Sequence, residues 1–258
     1  MPEIEIVAFL VVASGLAGFV DAVAGGGGLI LMPALLLGLP ASTPIPTILG
    51  TNKFAAATGT SAAAYQFLKA DLVGWRDLLG PVLAAMAGSA VGAHYAYQVD
   101  PAILRPLMVA LLAGMLVFTL VRPDHGRLHA PRFGPGARRS LSVLIALCLG
   151  FYDGIFGPGT GTLLIFLNVG VLGYDFLRSS ALAKAANWGS NIAALTLFVW
   201  NGSWLPELAL VLAVANLVGG RVGARLAIGK GNAWIRWIFV GVVTVLLARL
   251  AWQVATGI

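Results

Sequence analysis

Ten apolar runs divide the sequence, at about 4–24, 28–39, 47–68, 78–97 and 101–121, then 140–157, 161–173, 181–200, 205–228 and 233–254. Segments of this kind constrain a fold more than any other feature. In hydrocarbon every backbone N–H and C=O must be satisfied within the protein, which leaves helices as the spanning element for runs of about 20 residues. The composition agrees: 59% of residues are hydrophobic and 10% charged, against roughly 25% charged in a soluble domain, and the mean hydropathy is +0.91. The fold class predicted is an all-α polytopic membrane protein with about 8–10 membrane segments.

The net charge of +6 does not point to nucleic acid. The basic residues are scattered except in the 122–140 loop, where Arg122, Arg127, Arg132, Arg138 and Arg139 face only Asp124. The positive-inside rule makes that loop cytoplasmic. Arg225, Lys230 and Arg236 mark a second cytoplasmic connection, and the 40–46 and 201–206 connections carry no Lys or Arg, as suits the outside. Cys148 is the single cysteine, so neither a disulfide framework nor a thiolate metal site is expected. His125 and His129 lie in an Arg/Pro/Gly loop and are weak metal candidates. No metal site and no cofactor are predicted. Glu3 and Glu5 stand where a signal peptide needs Lys or Arg, so the first run reads as a retained span.

The runs at 28–39 and 161–173 are too short to cross: 12 residues of helix cover only about 18 Å. Each follows a glycine break, "DAVAGGGG" at 21–28 and "DGIFGPGTG" at 153–161. These breaks belong to an internal repeat. Gly18, Phe19, Asp21, Gly25 and Gly27 match Gly150, Phe151, Asp153, Gly157 and Gly159 at an offset of 132. Lys53, Phe67 and Arg105 match Lys184, Phe198 and Arg236 at an offset of 131, and "GSAVGA" at 88 matches "GGRVGA" at 219. The loop charges agree only if each glycine-broken pair crosses an even number of times, twice or as a re-entrant hairpin. Each half then crosses an odd number of times and the second copy is inverted. The chain divides into a first transmembrane repeat (1–121), a cytoplasmic basic linker (122–139) and a second repeat (140–258). Each repeat holds a glycine-broken or re-entrant helix pair plus three transmembrane helices. Inverted repeats with glycine-interrupted segments point to a secondary transporter with a midplane site at the breaks.

Charges within apolar runs narrow the site. A lysine or aspartate at a helix centre costs about 2.5–3.5 kcal/mol on insertion scales, so Asp21, Lys53, Asp153 and Lys184 should face the bundle interior. One reading of the lysines is snorkelling or a structural ion pair with an aspartate. The other is an anion site, favoured by the symmetric placement. Lys184, Asn187, Trp188 and Asn191 fall on one helical face; the aligned face is Lys53, Ala56, Ala57 and Thr60, with Asn52 as partial compensation. Asn187 and Asn191 serve equally well as interhelical glue. Helices starting after Gly28 and after Gly161 would offer unpaired N–H groups at the breaks, Gly25, Gly26, Gly27 and Gly28 in one and Gly157, Gly159 and Gly161 in the other, with the hydroxyls of Thr160 and Thr162 as further donors to an anion. "GPGTGT" lacks the preceding strand and the Gly-Lys-Ser/Thr ending of a nucleotide-binding loop. Asp21 and Asp153 would repel an anion, which leaves them three roles: bonding loop N–H groups, pairing with a lysine or carrying a coupling proton. "GSAVG" and "GGRVG" read as small-residue packing faces, and Trp75, Trp200, Trp204, Trp234 and Trp237 as interfacial anchors.

"GFVDAVAGGGG", "GTNKFAAATGTSAA", "GFYDGIFGPGTG" and "AKAANWGSNIAAL" together resemble the TauE/SafE sulfite exporter family of membrane transporters, over essentially the whole chain. The resemblance implies transport of sulfite, a sulfonate or another organosulfur acid, or an organic carboxylate, across a bacterial inner membrane, and no enzymatic activity. Leu182 and Ala183 provide no hydroxyl or amide where such proteins often carry a threonine or another small residue. The predicted function is secondary transport of a small anion by alternating access, with a passive anion channel as the alternative. Membrane lipid and the anion are the expected partners, and a second copy of the chain is a candidate.

Overall fold

The computed structural model describes residues 4–40, 42–98 and 129–231, with isolated helical positions between 234 and 252. The predicted run at 101–121, most of that at 233–254, and Arg105, Arg122, Arg127 and Arg236 lie outside the described residues. The described residues form helices and no strands. They are α1 (Ile4–Ala24), α2 (Gly28–Gly38), α3 (Ile45–Lys69), α4 (Trp75–Tyr95), α5 (Pro135–Ile155), α6 (Thr160–Leu167), α7 (Phe176–Trp200) and α8 (Pro206–Lys230). A π-helical turn, Asn168–Leu172, continues α6.

Local sequence explains the boundaries. Proline in the first turn of α3, α5 and α8 occupies positions where its missing N–H costs nothing. Asp175 caps α7 by accepting the Arg178 N–H at 2.8 Å. Among the described helices α1, α4 and α8 are long and apolar enough to cross a membrane. Helices α3 and α7 have 25 residues each, about 37 Å of rise, but bear the polar positions. They lie against each other, with α8 packed on α3 and α4 packed on α7, so their polar faces are shielded. Outside them α8 packs on α1 and α4 on α5.

Those outer contacts are close because the residues are small. Gly88 and Gly92 of α4 lie on the backbone of Leu147 and Phe151 in α5; Gly219 and Gly223 of α8 lie on that of Gly15 and Phe19 in α1. The two small-residue stretches therefore pack as expected, with van der Waals contact replacing a hydrophobic drive. Trp75, Trp200 and Trp237 are exposed, as anchors require, whereas Trp204 stacks on Phe54 with ring centroids 5.2 Å apart.

Both glycine-broken pairs fold back on themselves. Gly38, ending α2, sits beside Ile6 and Leu10 near the start of α1. After α6 and its π turn, the Gly173 carbonyl accepts the Ala130 N–H at 2.9 Å and the Leu172 carbonyl accepts that of Arg132 at 3.2 Å, just before α5 begins.

Candidate functional site

The turns of the two folded-back pairs meet. Gly25 and Gly157, matched in the repeat, both take positive φ, +82° and +94°, as does Gly159 at +84°; only glycine adopts this at no steric cost. The Gly25 carbonyl accepts the Thr162 N–H at 3.1 Å, and the Thr162 hydroxyl donates to the Ala24 carbonyl at 3.0 Å. A Cβ on Gly25 would overlap the Gly161 backbone, and one on Gly161 the Gly25 backbone. The glycines thus let two chain turns touch where side chains would hold them apart.

Helix α2 begins at Gly28, one residue before the predicted start, and α6 at Thr160, two residues before it. Among the described residues the N–H groups of Gly26, Gly27, Gly28, Gly157, Gly159 and Gly161 have no backbone acceptor. The threonines contribute differently from expectation: the Thr160 hydroxyl donates to the Gly157 carbonyl at 2.8 Å and that of Thr162 to Ala24. Both protons brace the turn.

Lys53 on α3 and Lys184 on α7 are 1% and 0% exposed, so neither snorkels. Each reaches an aspartate of the other half: Lys53 Nζ lies 2.6 Å from Asp153, and Lys184 Nζ 2.8 Å from Asp21. Lys53 also donates to Asn191 Oδ1 at 3.2 Å, whose Nδ2 donates to Thr60 at 3.4 Å. Each aspartate pairs with a lysine, one of the three roles open to it, and Asn191 couples α7 to α3.

These groups surround a small cavity of about 20 Å³, lined by Gly25, Gly27, Gly28, Gly157, Gly159 and Gly161, both aspartates, Lys53, Asn52, Asn187, Asn191 and Asn216. Asn52 is buried and its Oδ1 has no hydrogen-bond partner among the described residues. Lys184, Gly26, Thr160 and Thr162, expected at the site, do not line the cavity; Lys184 meets it through Asp21. Trp188 leaves the Lys184 face and donates its indole N–H to Ser61 at 2.8 Å. Asn216 on α8 escaped the sequence reading; it lines the cavity and donates to the Ser14 carbonyl at 3.0 Å. Its one signal was an amide in an apolar run. Among the described residues no group of His, Cys, Asp or Glu is placed to hold a metal ion.

Lipid-length apolar helices enclosing paired charges and a polar cavity define an integral membrane protein with a buried polar centre. The chain belongs to the sulfite exporter TauE/SafE family, whose profile matches residues 10–250. It is 33% identical over 256 residues to a probable membrane transporter protein of Haemophilus influenzae, covering 97% of this chain and 96% of that one. It is 34% identical to probable membrane transporter protein ORF9 of a Sinorhizobium species, covering 95% and 92%. It is 32% identical to probable membrane transporter protein YfcA of Escherichia coli K12, covering 92% and 87%. No solved structure matches the chain. The names of the family and of these relatives describe transport, not catalysis, and a bacterial inner membrane fits them.

Proposed function

We propose that the chain is a secondary transporter of a small anion, of the class of sulfite, a sulfonate or another organosulfur acid, with its site at the meeting of the two glycine turns. The observation that carries this reading is the convergence on one polar cavity of buried Lys53, of Asp21 with its buried partner Lys184, and of five glycines, Gly27, Gly28, Gly157, Gly159 and Gly161, whose N–H groups have no backbone acceptor among the described residues. Such donors in a dry site favour an anion. Lys53, Lys184, Asn52, Asn187, Asn191 and the glycines supply binding; Thr160 and Thr162 hold the turns, and Asp21 and Asp153 hold the lysines. The relatives cited above support the transport class, and the family's name supports sulfite and its chemical kin as the cargo.

In this reading residues 1–121 and 140–258 are inverted repeats joined by a cytoplasmic linker, and each glycine-broken pair is a re-entrant hairpin. Paired contacts support it. Gly18 lies on the Asn216 backbone and Gly150 on the Ala85 backbone, the same contact with the halves exchanged. Lys53–Asp153 and Lys184–Asp21 are related in the same way. The cavity has room for about one water, so an anion of four heavy atoms enters only as the surrounding elements separate. Alternating access supplies that separation, one hairpin moving against the α3–α7 centre.

Purified protein in proteoliposomes should take up labelled sulfite or a sulfonate with saturation, and Lys184→Ala should abolish uptake. Undiminished uptake in that variant would overturn the site; non-saturating current would favour a channel.

A further inference from the structure

The two ion pairs are equivalent in the repeat but not in their surroundings. Lys53 is ion-paired with Asp153 and donates its hydrogen bond to Asn191; Asp153 is 2% exposed, and its Oδ2 accepts no hydrogen bond among the described residues. Lys184 has Asp21 as its one hydrogen-bond partner among the described residues, and the Asp21 side chain is 15% exposed. One pair is tied into a network and sealed. The other is a single contact whose carboxylate reaches more open space.

Charge balance makes this difference consequential. Lys53 and Lys184 are matched by Asp21 and Asp153, so a monoanion entering the cavity leaves one uncompensated negative charge away from water. A proton on a carboxylate removes it and frees a lysine at the same time. The titratable and charged groups facing the two carboxylates are Lys53 from α3, Lys184 from α7 and Tyr152, whose hydroxyl is already donated to the Pro158 carbonyl at 2.8 Å. Among the described residues no other acid or base is positioned to take the proton.

We infer that Asp21 is the proton carrier of the transport cycle: the anion binds together with one proton on Asp21, which releases Lys184 to the anion, while Lys53–Asp153–Asn191 stays closed. The proton comes from bulk water on the side of anion entry and leaves with the anion on the other. When the site empties, Asp21 ionises and recaptures Lys184. This inference rests on the anion site proposed above and adds its coupling ion and the residue that bears it.

The test uses methanesulfonate, which stays ionised across the working pH range, so any proton that moves is the protein's. In proteoliposomes the wild-type protein should carry one proton per methanesulfonate and accumulate it about tenfold per unit of pH difference. Asp21→Asn should move methanesulfonate without protons and without accumulation, and Asp21→Glu should restore coupling with a shifted pH profile. In detergent, methanesulfonate added to wild-type protein in weak buffer should draw protons from solution, a readout that needs no variant. Wild-type uptake without protons, no proton uptake on binding, or coupling retained in Asp21→Asn would each overturn the inference and leave the anion site standing. A wild-type protein that moves neither methanesulfonate nor sulfite would instead remove the proposed function, and this inference with it.

Discussion

Lys184 and Asp21 meet at 2.8 Å across 163 positions of sequence, and the meeting ties α7 to the last turn of α1 just before its glycine break. Lys53 and Asp153 do the same for α3 and the last turn of α5. Each central helix therefore holds the turn that belongs to the other half. A lysine paired within its own half would anchor that half alone; the crossed arrangement makes the two turns one unit, and the Thr162-to-Gly25 hydrogen bond closes it.

Breaking the sealed pair should cost more than deleting it. Asp153→Asn leaves the Lys53 ammonium buried without its counter-charge, which in buried pairs costs about 3–5 kcal/mol. The double variant Lys53→Met/Asp153→Leu replaces both charges by apolar groups and should recover most of that loss. Thermal denaturation in detergent should rank wild type and double variant close together with the single variant well below. A single variant as stable as wild type would show that the pair carries no net burden.

The charged residues of the site were legible in sequence because lysine and aspartate are expensive in apolar runs and these recur at fixed offsets. Pairing with an aspartate was open from sequence too; which aspartate each lysine meets was not. An offset of 131 or 132 makes Lys53 equivalent to Lys184 but says nothing of which aspartate either one meets. Asn216 was hidden for a related reason: its counterpart is Ala85, so the repeat does not flag it. Helical periodicity placed Trp188 with Lys184, yet a residue four positions on is rotated by about 40°, enough to carry a large indole round to Ser61. The hydroxyls of Thr160 and Thr162 looked available because a sequence does not show that one meets the Gly157 carbonyl of its own turn and the other the Ala24 carbonyl of the opposing turn.

Contact between the turns makes Gly25 and Gly161 intolerant of any side chain. Alanine at Gly161 meets the Gly25 backbone, and at Gly25 meets both the Gly161 backbone and a positive φ. Neither clash is with a movable side-chain end, so each variant should lose at least about 1–3 kcal/mol and transport with it. Gly136→Ala, where a Cβ meets nothing within 4 Å, is the control and should match wild type. Thermal stability and methanesulfonate uptake measured on the same preparations check both statements.

The segment before α5 docks on the segment after α6 through a titratable contact. His129 stacks on Tyr174 with ring centroids 5.1 Å apart and planes at 4°, and its Nδ1 lies 3.7 Å from Asp175. Burial, then the charges of Arg178 and Arg138, hold the imidazole below its ordinary value of 6.5, with Asp175 opposing them. The undocked segment therefore binds the proton more readily than the docked one. Docking is strongest above 6.5 and weakens as the pH falls below it. Hydrogen exchange at the Ala130 and Arg132 amides, normalised for intrinsic rate, should speed up from pH 7.5 to pH 5, a window set by the ordinary histidine value of about 6.5. His129→Gln should flatten that dependence; a profile the same in both proteins would remove His129 from the contact.

Asn52 separates stability from function most sharply. Its Oδ1 is buried beside the cavity without a hydrogen-bond partner among the described residues, an arrangement that costs a folded protein about 1–3 kcal/mol. A side chain selected for folding alone would be apolar here. Asn52→Leu removes the unsatisfied carbonyl and keeps the number of side-chain heavy atoms, the bulkier isobutyl group lying beside the cavity, so its unfolding temperature in detergent should equal or exceed that of wild type. The same change removes the amide donors from the cavity wall. A hydrogen bond to a charged group contributes about 1.5–3 kcal/mol, so the half-saturating methanesulfonate concentration should rise by about tenfold or more. A stabilised variant with unaltered uptake would mean that the amide serves neither the fold nor the anion; a destabilised one would mean that Asn52 has a structural partner when the site opens.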